Sequence, residues 1–124
     1  YELHGSVKRN YCTKCGAFYD EAIVLAAKGG IPYCEKCQGV VKPDVVLYGE
    51  GLDNTVINNA VKAIREADML IVGGTSLVVY PAAGLINYYH GNQLVLINRD
   101  ATSYDSKADL VIAGSIGKVL GAME

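Results

Sequence analysis

Met69-Leu70-Ile71-Val72-Gly73-Gly74-Thr75-Ser76 reads as a short apolar strand ending in a glycine turn that carries two hydroxyls. A run of four apolar residues predicts a strand buried on both faces, as strands of a parallel sheet are. Leu94-Val95-Leu96-Ile97 repeats the pattern, and Leu110-Val111-Ile112 gives a shorter run. Helical signals lie between and around them. From Asn54 to Ala67 the residues Val56, Ile57, Ala60, Val61 and Ile64 recur at helical spacing, with Asp53 or Asn54 as N-cap. Ala82 to Tyr89 predicts a helix whose first turn holds Pro81, where a missing amide hydrogen costs nothing. Gly117 to Met123 predicts a closing helix, and Val45-Val46-Leu47-Tyr48, bounded by Pro43 and Gly49, a further strand. Strands alternating with helices imply right-handed crossovers and a parallel α/β sheet.

The ligand crevice of such a sheet lies at the carboxyl ends of its strands. Gly73-Gly74-Thr75-Ser76 stands at one of those ends, where glycines permit close backbone approach and hydroxyls can bond phosphate or ribose. Asn98 ends the next strand, about twenty residues on, near the place where a Rossmann-type site puts its ribose-binding side chain. Taken alone the turn is equally well explained as ordinary turn chemistry, so both readings stand at this point.

Upstream, all four cysteines fall in two pairs, Cys12-Thr13-Lys14-Cys15 and Cys34-Glu35-Lys36-Cys37, with eighteen residues between the pairs. Two residues between the members of a pair let both sulfurs reach one ion from a tight turn, and two such knuckles complete a tetrahedral thiolate set for one structural Zn²⁺. A disulfide scaffold would be short and poor in core, whereas 51% of this chain is hydrophobic. A redox Cys-x-x-Cys would need only one pair. With four protein thiolates the metal has no open position, so its predicted role is to hold the fold.

Eleven basic against thirteen acidic residues leave a formal charge of −2. That argues against a nucleic-acid binder working through bulk charge. No apolar run approaches the length of a membrane-spanning helix, so neither nucleic acid nor membrane is expected as a direct partner. Zinc thiolates favour a reducing compartment, which points to the cytoplasm.

The combination of these parts, in this order, resembles the sirtuin family. The residues that carry the resemblance are Leu3-His4-Gly5-Ser6 ahead of the first knuckle, the two cysteine pairs, and Lys42-Pro43-Asp44-Val45-Val46-Leu47-Tyr48-Gly49-Glu50. They continue with Gly74-Thr75-Ser76-Leu77-Val78-Val79-Tyr80-Pro81-Ala82-Ala83 and Ile97-Asn98. Sirtuins are NAD-dependent protein lysine deacylases that pass the acyl group to ADP-ribose and release nicotinamide. The resemblance implies a partial Rossmann-like sheet formed by residues 1–7 and 43–124, with a zinc-binding small domain at 8–42 inserted in it.

It further implies that His4 is the catalytic base, which deprotonates a ribose hydroxyl after nicotinamide has left. Imidazole as a class suits that step because its ordinary pKa lies close to neutral pH. Outside the family, a histidine before a glycine is more often a turn or surface residue, and His90 keeps that bland reading. Val46, Leu47, Tyr48, Gly49 and Glu50, together with Val78, Val79 and Tyr80, match the two edges between which sirtuins hold the acyl-lysine peptide as an added strand. Val46 and Leu47 can equally be core strand. Tyr48 stands where the family more often has Phe. Gly74, Thr75, Ser76 and Asn98 match the turn and strand end beside NAD, Arg99 is expected to border the adenine, and Ile116 to approach it through its backbone.

One part of the family pattern is missing from these residues. Sirtuins begin with a glycine-rich strand-turn-helix that cradles the NAD pyrophosphate, followed by a Gln-Asn-Ile-Asp segment. The expectation is therefore the C-terminal portion of a sirtuin, catalytically incomplete by itself. The alternative is a non-catalytic zinc-binding interaction module.

Overall fold

Strand β1 (Gly5–Cys12) sends Asn10 and Cys12 inward and leaves Tyr11 exposed, the two-residue alternation of a sheet covered on one face. It is the centre of a three-stranded antiparallel sheet, between β2 (Phe18–Tyr19) and β3 (Val41–Val45). Tyr11 stands opposite Phe18, their rings edge to face at 5.6 Å. The pairing with β3 runs Gly5 to Val45 and Ser6 to Asp44, then resumes at Asn10 opposite Pro43. Residues 7–9 therefore form a bulge. Arg9 closes it outward on Glu2 at 2.7 Å and Asp44 at 2.9 Å. The fully buried Asn10 closes it inward, donating from Nδ2 to the carbonyls of Val7 at 3.0 Å and Asp20 at 3.1 Å. A short helix, α1 (Ala22–Ala26), lies between β2 and the second cysteine pair.

The computed structural model describes residues 1–123, and the chain divides into two units, Tyr1–Val56 and Ile57 onward. Helix α2 (Asn54–Glu66) starts where the first unit ends. Asp53 caps it as the sequence predicts, its Oδ1 accepting the Thr55 amide at 2.7 Å and the Val56 amide at 3.0 Å.

The second unit is built on a parallel sheet of β4 (Leu70–Gly73), β5 (Leu94–Asn98) and β6 (Leu110–Ala113), in that spatial order. This is the α/β parallel arrangement expected from the apolar runs. Leu94 and Leu96 face a core made with Leu77, Ala83, Ile86 and Tyr104, joined by Leu70 and Val72. Ile97 is buried on the opposite face, where α3 (Ile116–Leu120) lies.

Four local expectations are corrected. The strand predicted at 45–48 is Val41–Val45, and Val46 to Tyr48 leave the sheet. Pro43 is not its boundary but lies within it, because β3 is an edge among the described strands and its proline can go without a ladder hydrogen bond. This strand also joins the antiparallel sheet, not the parallel one. Second, β4 is not buried on both faces: Ile71 is 44% exposed, because β4 is an edge among the described strands and only its Leu70 and Val72 side meets the core. Third, the helix predicted at 82–89 is a 3₁₀ segment, Ala82–Tyr88, with Pro81 at its N-cap. Gly84 weakens an α-helix there. Fourth, the closing helix starts at Ile116 and ends at Leu120. No helix of the described residues is long and apolar enough to cross a membrane.

Candidate functional site

In the first unit the sulfurs of Cys12, Cys15, Cys34 and Cys37 all lie within 4.8 Å of one another. Cys12 to Cys37 measures 3.5 Å and Cys15 to Cys34 3.6 Å. A disulfide would bring sulfurs to about 2.05 Å, whereas a tetrahedral ion with Zn–S bonds of about 2.3 Å sets them about 3.8 Å apart. The spacing fits zinc. The two knuckles share one construction: the amide of Gly16 returns to the Cys12 carbonyl at 3.0 Å, and that of Gln38 to the Cys34 carbonyl at 2.8 Å. Both closing residues are left-handed, with φ of 69° and 58°. Gly39 approaches the cluster so closely that a Cβ on it would stand 2.9 Å from Cys12 Sγ.

Thiols this crowded cannot all ionise freely. The Cys15 backbone amide, with that of Lys14, lowers Cys12. The Tyr19 hydroxyl holds Cys34 down to about 6. The Gly39 amide favours the Cys37 thiolate, but the neighbouring Cys15 thiol, burial, and Cys12 and Cys34 outweigh it and push Cys37 up to about 12. A divalent cation at the centre removes that conflict, because metal ligation deprotonates a thiol outright.

His4 sits at the turn into β1, exposed to solvent, and its carbonyl accepts the Val46 amide at 3.1 Å. The fold thus brings His4 next to the 46–50 loop. That loop is closed by a turn in which Glu50 donates its amide to the Leu47 carbonyl at 3.0 Å. Gly49 supplies the required positive φ of 86°. The Glu50 carboxylate points back into the loop: Oε2 accepts the Leu47 amide at 2.9 Å and faces Lys42 Nζ at 3.4 Å. Lys42 also donates to the Val45 carbonyl at 2.9 Å. Tyr48 projects fully exposed from the tip.

The sequence places Glu50 with the substrate contacts and gives Lys42, the first residue of the same stretch, no role. Its one visible signal was an opposite charge eight residues before Glu50, across the loop. The Leu47 amide, followed by Lys42, holds the Glu50 carboxyl below the ordinary range. A depressed folded value means that this clasp is fully formed above the ordinary glutamate pKa of about 4.3 and opens as pH falls through the folded value. The Leu47 amide proton is therefore expected to titrate below that value in an NMR pH series and to stop titrating in Glu50→Gln. A midpoint at or above the ordinary value would refute the clasp.

The other predicted site residues lie in the second unit. Gly74 follows β4 with φ of 66°, its amide bonded to the Ile97 carbonyl at 3.1 Å. Asn98 grips the next residue with its whole amide: Oδ1 accepts the Thr75 N–H at 3.0 Å, and Nδ2 donates to the Thr75 carbonyl at 2.7 Å. The Thr75 hydroxyl accepts the Leu77 amide at 3.2 Å, so it stabilises the turn and leaves Ser76 as the freer hydroxyl. Two adjoining hollows share Gly74, Asn98 and Arg99. One, of about 200 Å³, continues along Thr75, Ser76 and Asp100 to Thr102. The other, of about 220 Å³, continues along Gly114, Ser115 and Ile116. A Cβ on Gly73 would collide with Ile116 Cδ1, so Gly73 makes room for Ile116 and the close approach inferred from the sequence is met by the protein itself. Asp100, Thr102 and Ser115 line these hollows and were not singled out from the sequence. Val78, Val79 and Tyr80 are exposed.

The Sir2 family model matches residues 1–81 of this chain. NAD-dependent protein deacetylases of Clostridium acetobutylicum and Clostridium perfringens are each 67% identical to it, the matches covering 97% and 98% of this chain but 49% and 50% of those proteins. A solved Sir2 with a p53 peptide and NAD⁺ superposes with a TM-score of 0.81 at 32% identity, covering 95% of this chain and 51% of that one. A Sir2 structure solved to explain mechanism and regulation of these enzymes gives 0.81 at 39% identity, over 96% and 50%. The chain spans about half the length of the curated relatives it matches.

Proposed function

This chain belongs to the Sir2 family, and from that premise we propose that it is part of an NAD-dependent protein lysine deacetylase. The observation that carries the proposal is the turn at Gly74–Ser76, held by Asn98 beside two hollows at the carboxyl ends of β4 and β5. Its donor set suits a dinucleotide. Ser76 offers a hydroxyl, Asn98 retains an amide hydrogen after gripping Thr75, and Arg99 adds a guanidinium. On this reading Gly74, Thr75, Ser76, Asn98 and Arg99 hold the adenosine and phosphate side, with Ile116 beside them. When bound, NAD supplies the ribose carbon that receives the acyl oxygen as nicotinamide departs.

The chain's own residues have distinct tasks. His4 takes a proton from a ribose hydroxyl. Val46 to Glu50 and, in the second unit, Val78 to Tyr80 are each proposed as contacts for an extended acyl-lysine peptide; in the first group the Lys42 and Glu50 clasp sets the backbone while Tyr48 supplies an aromatic wall. Cys12, Cys15, Cys34 and Cys37 hold one Zn²⁺ that keeps the 8–42 segment folded, inserted in a Rossmann-like domain drawn from 1–7 and 43–124. The half of the relatives that this chain does not match would supply the remaining wall of the NAD site, without which water is not excluded. Thiolate zinc ligation favours a reducing, cytoplasmic setting.

The test is mass spectrometry of an acetyl-lysine peptide incubated with and without NAD, using this chain and, separately, a protein extended to the full length of the relatives. Deacetylated peptide and O-acetyl-ADP-ribose are expected from the extended protein and only in the presence of NAD. A folded, zinc-loaded extended protein that yields neither product refutes the proposal.

A further inference from the structure

Tyr19, at the end of β2, packs half-buried against the cluster of Cys12, Cys34 and Val41. Its hydroxyl oxygen accepts the Glu35 backbone N–H at 3.0 Å and lies 3.2 Å from Cys34 Sγ. A phenol carries one proton. With an oxygen lone pair already engaged by the Glu35 amide, the remaining short contact is the sulfur, which as a thiolate can only accept. The hydroxyl therefore donates to Cys34. Cys34 is 0% exposed, so no water competes for this lone pair, and a hydrogen bond to a charged acceptor in such a setting is of the stronger kind.

The contact crosses the site. Tyr19 follows the first knuckle, whereas Cys34 is the first sulfur of the second. Resting on the structural-zinc reading, we propose that Tyr19 is an outer-sphere donor that braces the two knuckles through Cys34 and slows loss of the metal. A thiolate leaves zinc by rotating away from it. The hydroxyl resists that rotation by fixing the direction of the sulfur. Outer-sphere partners of this kind change metal affinity by about 10- to 100-fold when removed. Cys15, exposed to water, is the sulfur at which release would begin.

The experiment follows zinc transfer from the zinc-loaded protein to a chromogenic chelator. Tyr19→Phe keeps the ring in its packing and removes only the donor; release is expected to quicken about 10-fold. Tyr33→Phe, which removes an exposed hydroxyl, is expected to leave the rate unchanged. In cobalt-substituted samples the sulfur-to-metal charge-transfer band of Tyr19→Phe is expected to shift to lower energy, because an unbonded thiolate is the better electron donor. Equal release rates and an unshifted band in Tyr19→Phe would overturn the brace while leaving the metal in place. A wild-type protein that carries no zinc would overturn the metal reading together with this inference.

Discussion

Replacing Cys34 by Ala is expected to remove the zinc and unfold residues 1–56 in a single event. Cys34 is fully buried and Cys12 nearly so, and together with Val41 they are the buried centre of the small sheet, which has few other core residues. With so few buried residues this small unit is marginal by itself and draws on its metal for stability. Structural zinc contributes on the order of 10 kcal/mol of apparent binding energy near neutral pH, comparable with the entire stability of an ordinary domain. Cys12→Ala should behave in the same way. Zinc content by mass spectrometry and thermal melting by circular dichroism check both consequences at once. A Cys34→Ala protein with a full zinc load and wild-type melting would show that the cluster is not a structural metal centre.

His4→Ala is expected to do the opposite, lowering turnover by at least about 100-fold in a protein of the relatives' full length while zinc content and melting stay unchanged. What His4 gives the fold is a backbone carbonyl, bonded to the Val46 amide, and alanine keeps that bond. Its imidazole is exposed and takes no part in the buried clusters. The two substitutions thus separate the metal's task from the one proposed for His4 within one unit. Retained turnover in His4→Ala would remove this residue from the chemistry.

Elements fixed by local chemistry were legible in the amino-acid order. Asp53 was readable as a cap because its carboxylate acts within three residues, and the cysteine pairs because a knuckle is a local turn. Leu94 to Ile97 was readable because the central strand of a parallel sheet has no polar face to confuse its pattern. Elements decided by distant partners were not. Val46 and Leu47 have the composition of a strand, yet Leu47 spends its amide on Glu50 and its carbonyl on the turn. Ala82 to Tyr88 has helical spacing, but Gly84 inside it weakens an α-helix, and the segment takes the tighter 3₁₀ form. Of the site, residue types with a characteristic spacing were visible in advance, namely the four cysteines and the Gly74-Thr75-Ser76 turn with Asn98. Lys42 and Tyr19 were hidden, since a lysine or tyrosine gains meaning only from the atom that folding places within 3.5 Å of it.

Because β1 runs from the residue after His4 to Cys12, and β3 from Val41 beside Cys12 to the foot of the 46–50 loop, the small sheet is a lever with the cysteine cluster at one end and the residues proposed for the chemistry at the other. This would mislead a common diagnostic. In a protein of the relatives' full length, a chelator that strips the zinc should abolish the proposed deacetylation, and an assay scored on that loss alone would classify the protein as a metalloenzyme. Two checks would correct the label. Replacing zinc with cadmium, an ion of similar ligand preference and different Lewis acidity, should restore activity almost in full. The inhibition should also develop at the pace of unfolding and not at that of chelator binding.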